Sequence, residues 1–157
     1  MMESDEYYMN LALSIAQQAW RVHQEVPVGC VLVKDSEVLA LTHNLRESRQ
    51  DPTSHAELLA IQEASQKLKN WRLVGTRLYI TLEPCLMCAG AIILARIPHV
   101  IFGAFDPKAG VAGSLLNAFE LPVNHQVKLQ GGILQRECGQ LLSSFFQEKR
   151  KQKKNIF

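Results

Sequence analysis

Apolar and polar positions alternate with two periods along this chain, and the switches between them mark out helices and strands. Residues 5–22 place Tyr8, Leu11, Ala12, Ile15, Ala16, Ala19 and Val22 at helical spacing, which predicts an amphipathic helix with one buried face. Val26–Lys34 carries too many apolar residues for a half-exposed strand, so a central strand is expected. Asp35 and Ser36 turn the chain into Glu37–Thr42, its antiparallel hairpin partner. Asn44–Ser54 holds Arg46, Glu47, Arg49, Asp51 and Pro52 and reads as a polar loop. A helix is expected from His55 to about Lys69, N-capped by Thr53 or Ser54.

The second half repeats the alternation. Arg77–Thr81 is a strand, ended by Glu83-Pro84. A helix opens near Pro84 or Cys85, where a proline suits the first turn, and runs to Arg96, with Pro98 marking its end. His99–Gly103 is a strand; a Gly-rich loop, a short helix near Leu115–Phe119 and a strand near Gln126–Leu129 follow. The last helix spans Arg136 to about Lys151, with Cys138, Leu141, Leu142, Phe145 and Phe146 on its buried face. This order implies an α/β fold with a mostly parallel sheet covered by helices on both sides. No repeat or composition break interrupts it, so 1–147 is expected to form a single domain and 148–157 a basic tail continuing the last helix.

Composition narrows the class. A chain of 157 residues that is 47% hydrophobic is neither disordered nor a polytopic membrane protein. Its net charge of +2 conceals a split: Lys149, Arg150, Lys151, Lys153 and Lys154 outweigh Glu148 in the tail, and the rest is net acidic. A basic tail fits a polyanionic partner, and equally a solvated helix end favoured by the helix dipole. The acidic start has no apolar run behind it, which argues against a secretory signal, and Ala89–Ala95 is too short to cross a bilayer. A cytoplasmic protein without a membrane partner is expected. Disulfides rarely persist there, so Cys85 and Cys88, a C-x-x-C pair, point to metal or redox chemistry.

Two segments carry the chemistry: His55-Ala56-Glu57 and Pro84-Cys85-Leu86-Met87-Cys88, each expected at a helix N-terminus. Cys85 and Cys88 share a helix face, where the dipole favours thiolates. With His55 they offer two sulfurs and one nitrogen, a set that suits zinc and leaves a fourth tetrahedral position open to water. Glu57 lies two residues past His55, within reach of that water as a proton shuttle. Each feature has an ordinary alternative. His55 alone is a common residue at a helix start, a lone C-x-x-C is often redox or structural, and Glu57 completes a capping box with Ser54. A closed structural site would need a fourth ligand, for which Cys30, His99 and Cys138 are candidates by type.

H-x-E, then 26 residues, then P-C-x-x-C is the signature of zinc-dependent nucleobase deaminases. Beyond it, the chain resembles the bacterial tRNA-specific adenosine deaminases of the cytidine/deoxycytidylate deaminase superfamily over nearly its whole length. The matching stretches are Val26-Pro27-Val28-Gly29, Asn44, Asp51-Pro52-Thr53, Thr81-Leu82-Glu83-Pro84-Cys85 and Cys88-Ala89-Gly90-Ala91. They continue in Phe102-Gly103-Ala104, Asp106, Lys108, Gly110, Gly113 and Ser114, and in Leu141-Leu142, Phe145-Phe146 and Lys149-Arg150.

The resemblance implies a three-layer α/β/α cytidine-deaminase-like fold with a mixed five-stranded sheet. It implies hydrolytic deamination of adenosine to inosine at the wobble position of a tRNA anticodon. His55, Cys85 and Cys88 would hold one zinc ion per subunit, with Glu57 catalytic. Asn44 would bond the flipped nucleoside. Val26, Pro27, Val28 and Ala56 would line the base pocket. Asp106 would meet the flanking nucleotide, and Phe145 and Phe146, core first, would contact RNA. The family implies a homodimer. Cys30 and Phe105 depart from its usual residues, Cys30 being read as a buried strand residue; the Trp20–Val26 segment is one residue longer than in some relatives. Two other readings stay open: a deaminase of a free nucleoside, nucleotide or base of cytidine, deoxycytidylate or guanine type, and a zinc-stabilised binding module without catalysis.

Overall fold

The computed structural model describes residues 2–156, so Met1 of the expected domain and Phe157 of the tail lie outside the described residues. Helix α1 (Asp5–His23) opens where the Ser4 hydroxyl accepts from the Tyr7 N–H, with Asp5 and Glu6 in its first turn, and closes at Gln24 in the left-handed region. Its buried stripe is Tyr8, Met9, Ala12, Leu13, Ala16 and Ala19. Val22 lies about 100° round from the centre of that stripe and is exposed, against expectation.

Five strands form one sheet in the order β2-β1-β3-β4-β5. These are β1 (Gly29–Lys34), β2 (Glu37–His43), β3 (Thr76–Leu82), β4 (His99–Ala104) and β5 (Lys128–Gln130). β1 runs antiparallel to both β2 and β3, whereas β3, β4 and β5 are mutually parallel. The sheet is therefore mixed, with β1 alone reversed. β1 starts later than its apolar pattern suggests. Pro27 has no N–H to donate, and the Val28 N–H bonds back to the Val26 carbonyl, which keeps 26–28 out of the ladder.

Alternation along the strands explains their near-complete burial. Cys30, Leu32, Leu78, Ile80, Val100 and Phe102 face α3 (Ala56–Leu68) and α4 (Leu86–Leu94). Val31, Val33, Tyr79 and Ile101 face α1 and α5 (Gln135–Ile156). Each large side chain so buried contributes about 1.5–3 kcal/mol. Gly29 lets α1 cross close over β1, since a Cβ there would overlap the Ala12 carbonyl.

Other boundaries moved for local reasons. The expected loop 44–54 contains a single-turn helix, α2 (Arg46–Arg49). α3 is preceded by His55 at its N-cap, because the Thr53 and Ser54 hydroxyls bond Asp51 instead. The short helix is a 3-10 turn at Ala118–Glu120, capped by the Asn117 side chain. α5 runs on through the tail to Ile156, keeping the five basic residues on one continuous helix. Phe145 is buried with Cys138, whereas Phe146, one residue further round the helix, is 45% exposed and not part of the core.

Candidate active site

The carboxyl ends of β3 and β4, the amino end of β1 and the final residues of β2 meet at one end of the sheet. His55 and Cys85 occupy equivalent places there. Each is the extended N-cap residue of its helix, α3 and α4, and neither side chain caps its own helix. Both are thus turned outward, free to act on something else. Cys88 follows one turn into α4 and is fully buried.

His55 Nδ1 lies 3.6 Å from Cys85 Sγ and 3.5 Å from Cys88 Sγ. A tetrahedral centre with metal–sulfur bonds of about 2.3 Å and a metal–nitrogen bond of about 2.1 Å separates its nitrogen and sulfur ligands by about 3.6 Å. The spacing therefore fits zinc. Among the described residues, this trio is the group of His, Cys, Asp or Glu side chains placed to hold a metal ion. Cys30 lies on β1 outside it, Cys138 belongs to the α1/α5 side of the sheet, and His99 opens β4 at the opposite end. Among the described residues, no fourth ligand closes the site.

The Cys88 thiol donates to Cys85, and this, with a bond from His55, holds Cys85 down to about 4 despite burial. Cys88 is pushed up for the same reason, by that bond and by burial. The bond to Cys85 also raises His55. A metal cation binds such cysteines as thiolates, releasing their protons.

Glu57 sits in the first turn of α3, 4% exposed, within reach of the Cys88 thiol. Burial pushes its carboxyl up to about 7, with His55 opposing. A group balanced near neutrality can both take and give a proton.

His55, Glu57 and Cys85 line a cleft of about 750 Å³, with Cys88 buried behind them. Val26, Val28, Asn44, Ala56 and Asp106 all line it, with Arg46, Lys108 and Arg150 among the wall residues. Two expected residues do not. Pro27 is buried and outside the walls, and Phe145 packs edge-on against Trp20, its ring centroid 5.5 Å away. Phe146 and Phe105 line the cleft in its place.

Two buried carboxylates brace the walls, and neither stands out in the sequence. Glu25 is fully buried and accepts from Asn44 Nδ2 at 3.3 Å, Glu47 N at 3.2 Å and Ser48 N at 2.5 Å. It holds α2, which explains why a polar loop becomes helical there. Glu83 accepts from Asp106 N at 2.9 Å, Ala112 N at 2.8 Å, Ser114 N at 3.1 Å and the Ser114 hydroxyl. Burial pushes Glu83 up, but these donors bring it below its ordinary value. Asp106 itself turns the loop, its Oδ1 accepting from Lys108 N and Ala109 N. The available signal was an acid at the edge of an apolar strand, where burial demands partners.

Residues 2–104 match the family model of the cytidine and deoxycytidylate deaminase zinc-binding region. The chain is 51% identical to a tRNA-specific adenosine deaminase of Bacillus subtilis, over 98% of this chain and 95% of that protein. It is 44% identical to one from Streptococcus pyogenes, over 98% and 97%. A solved structure from work on A-to-I editing by tRNA:A34 deaminases at the wobble position superposes with a TM-score of 0.83. That match is 41% identical and covers 87% of this chain and 99% of the other.

Proposed function

The chain belongs to the cytidine and deoxycytidylate deaminase family, and within it to the tRNA-specific adenosine deaminases; on that footing we propose that it hydrolyses the wobble adenosine of a tRNA anticodon to inosine and ammonia. The observation that carries this reading is Glu57, a buried carboxyl beside an open three-ligand site. A closed structural zinc module would give it no task.

His55, Cys85 and Cys88 would hold zinc, one ion per subunit, and a zinc held there would lower the pKa of water enough to provide a nucleophile for the amino-bearing ring carbon near neutral pH. Glu57 accepts a proton from the attacking water and delivers it to the ring nitrogen, where inosine keeps it; it then takes the remaining proton of the new hydroxyl and delivers it to the amino group, which leaves as ammonia. Val26, Val28 and Ala56 pack against the base, and Asn44 orients it by hydrogen bonding. The wobble base leaves its stack at small expense because the anticodon loop is already single-stranded.

An RNA substrate rather than a free base is supported by the cleft's rim. Arg46, Lys108 and Arg150 suit phosphates, and exposed Phe105 and Phe146 offer faces for bases. Residues 1–147 act as the catalytic domain, and the basic helical tail extends the RNA-facing surface. Leu86, Gly90 and Leu94 form an exposed stripe at i, i+4 and i+8 on α4, which suits a second copy in a homodimer. The cytoplasm is the compartment that holds the substrate, and no helix among the described residues is long and apolar enough to cross a membrane.

Incubating the protein with anticodon stem-loop RNA and, separately, with free nucleosides and bases tests the substrate. Inosine in the RNA is expected; conversion of free bases alone would replace this reading with the small-molecule one.

A further inference from the structure

Asn44 is held between two partners of opposite character. Its Nδ2 donates to Glu25, and its Oδ1 accepts from the Arg46 backbone N–H at 3.3 Å. A carboxylate of this kind accepts, and a backbone N–H can only donate. One orientation of the Asn44 amide satisfies both, and a flipped amide would set oxygen against oxygen and N–H against N–H. The second N–H of Nδ2 is then left for the cleft that Asn44 lines.

A purine presents N7, a pure acceptor, on the edge that also carries the reacting amino group. We propose that Glu25 is a positioning residue that fixes the polarity of the Asn44 amide, so that a donor meets N7 of the base. This rests on the adenosine deamination proposed above. Glu25 never touches the substrate; it acts through Asn44, and its bonds to Glu47 N and Ser48 N anchor it from behind.

The test compares anticodon stem-loops carrying adenosine or 7-deazaadenosine at the reacting position. In the native protein, loss of N7 should lower kcat/KM about 10-fold, the value of one hydrogen bond to a buried donor. Glu25→Met keeps length and bulk but leaves no acceptor for Asn44 Nδ2, so the amide is free to turn and the two RNAs should converge to within about 2-fold. Glu25→Asp keeps the acceptor and should retain the difference even if overall rates fall. A purely structural role for Glu25 predicts equal losses on both RNAs in both variants, which overturns the proposal, as does a native enzyme indifferent to N7.

Nuclear magnetic resonance of the native protein reads the amide independently of turnover and of any variant's folding. One Asn44 Nδ2 proton should exchange slowly and couple across its bond to Glu25; two equivalent, fast-exchanging protons overturn the proposal. A native protein inert toward both RNAs but active on free bases counts against the substrate reading instead, and the amide measurement still decides the role of Glu25.

Discussion

Gly110 has no room for a side chain because the carboxylate of Glu83 fills the space its Cβ would take. The loop from Asp106 to Ser114 is thereby wrapped around one buried acid at the end of β3, two residues before Cys85. Metal site and outer cleft wall share a single anchor. Gly110→Ala should therefore lower stability by about 1–3 kcal/mol through overpacking and reduce RNA turnover while zinc content holds. Urea unfolding and metal analysis on the same preparation check this; an unperturbed variant would mean the loop is not anchored there.

The neighbouring phenylalanines should separate cleanly. Phe145→Ala removes a buried ring packed edge-on against Trp20 and should destabilise the fold by about 3–5 kcal/mol. Phe146→Ala removes an exposed ring and should leave stability within about 0.5 kcal/mol, while weakening RNA binding by about 1–3 kcal/mol. Denaturation and RNA titration of both variants distinguish them; the reverse pattern contradicts the assignment of Phe146 to the cleft.

Metal removal should change which thiols react. Cys30 and Cys138 are fully or almost fully buried on opposite faces of the sheet and should resist alkylation with or without metal. Cys85, the more exposed of the ligand pair, should be protected in zinc-loaded protein and modified first after chelation. Mass spectrometry of alkylated peptides reads the order. Equal labelling of Cys85 before and after chelation would remove it from the ligand set.

Far from the cleft, Tyr79 donates to Asp5 at 2.7 Å beneath α1. Burial, then this bond, pushes its ionisation up to about 12, against about 10 for an unfolded tyrosine. The raised value means the neutral phenol is favoured in the fold. Its contribution is whole below pH about 10 and is lost as pH rises from 10 through 12. Phenolate absorbance should show a late step that Tyr79→Phe abolishes, with a flatter loss of stability across that window. An unchanged late step in Tyr79→Phe would assign it elsewhere.

Much of this was legible in the sequence because the signals were local. Helical spacing marks α1, and His55-Ala56-Glu57 with Pro84-Cys85 and Cys88 mark two helix starts by residue type alone. The interior of the sheet was legible too, since buried strands such as β1 must be apolar on both faces. The bracing of the cleft was not. Glu25 and Glu83 take their roles from backbone N–H groups more than twenty residues away, and side-chain type alone does not report such partners. Phe145 and Phe146 show the same limit at finer scale. Both are apolar and adjacent, and only the rotation of α5 against the sheet decides which one is buried.

Glu57 gives the most direct measurement. Sequencing tRNA after incubation with native protein should show adenosine-to-inosine change at the wobble base. Glu57→Gln should retain its zinc and lose turnover by a factor of about 10² to 10⁴. Undiminished inosine formation by the zinc-loaded Glu57→Gln protein, or no inosine from the native one, would contradict the account.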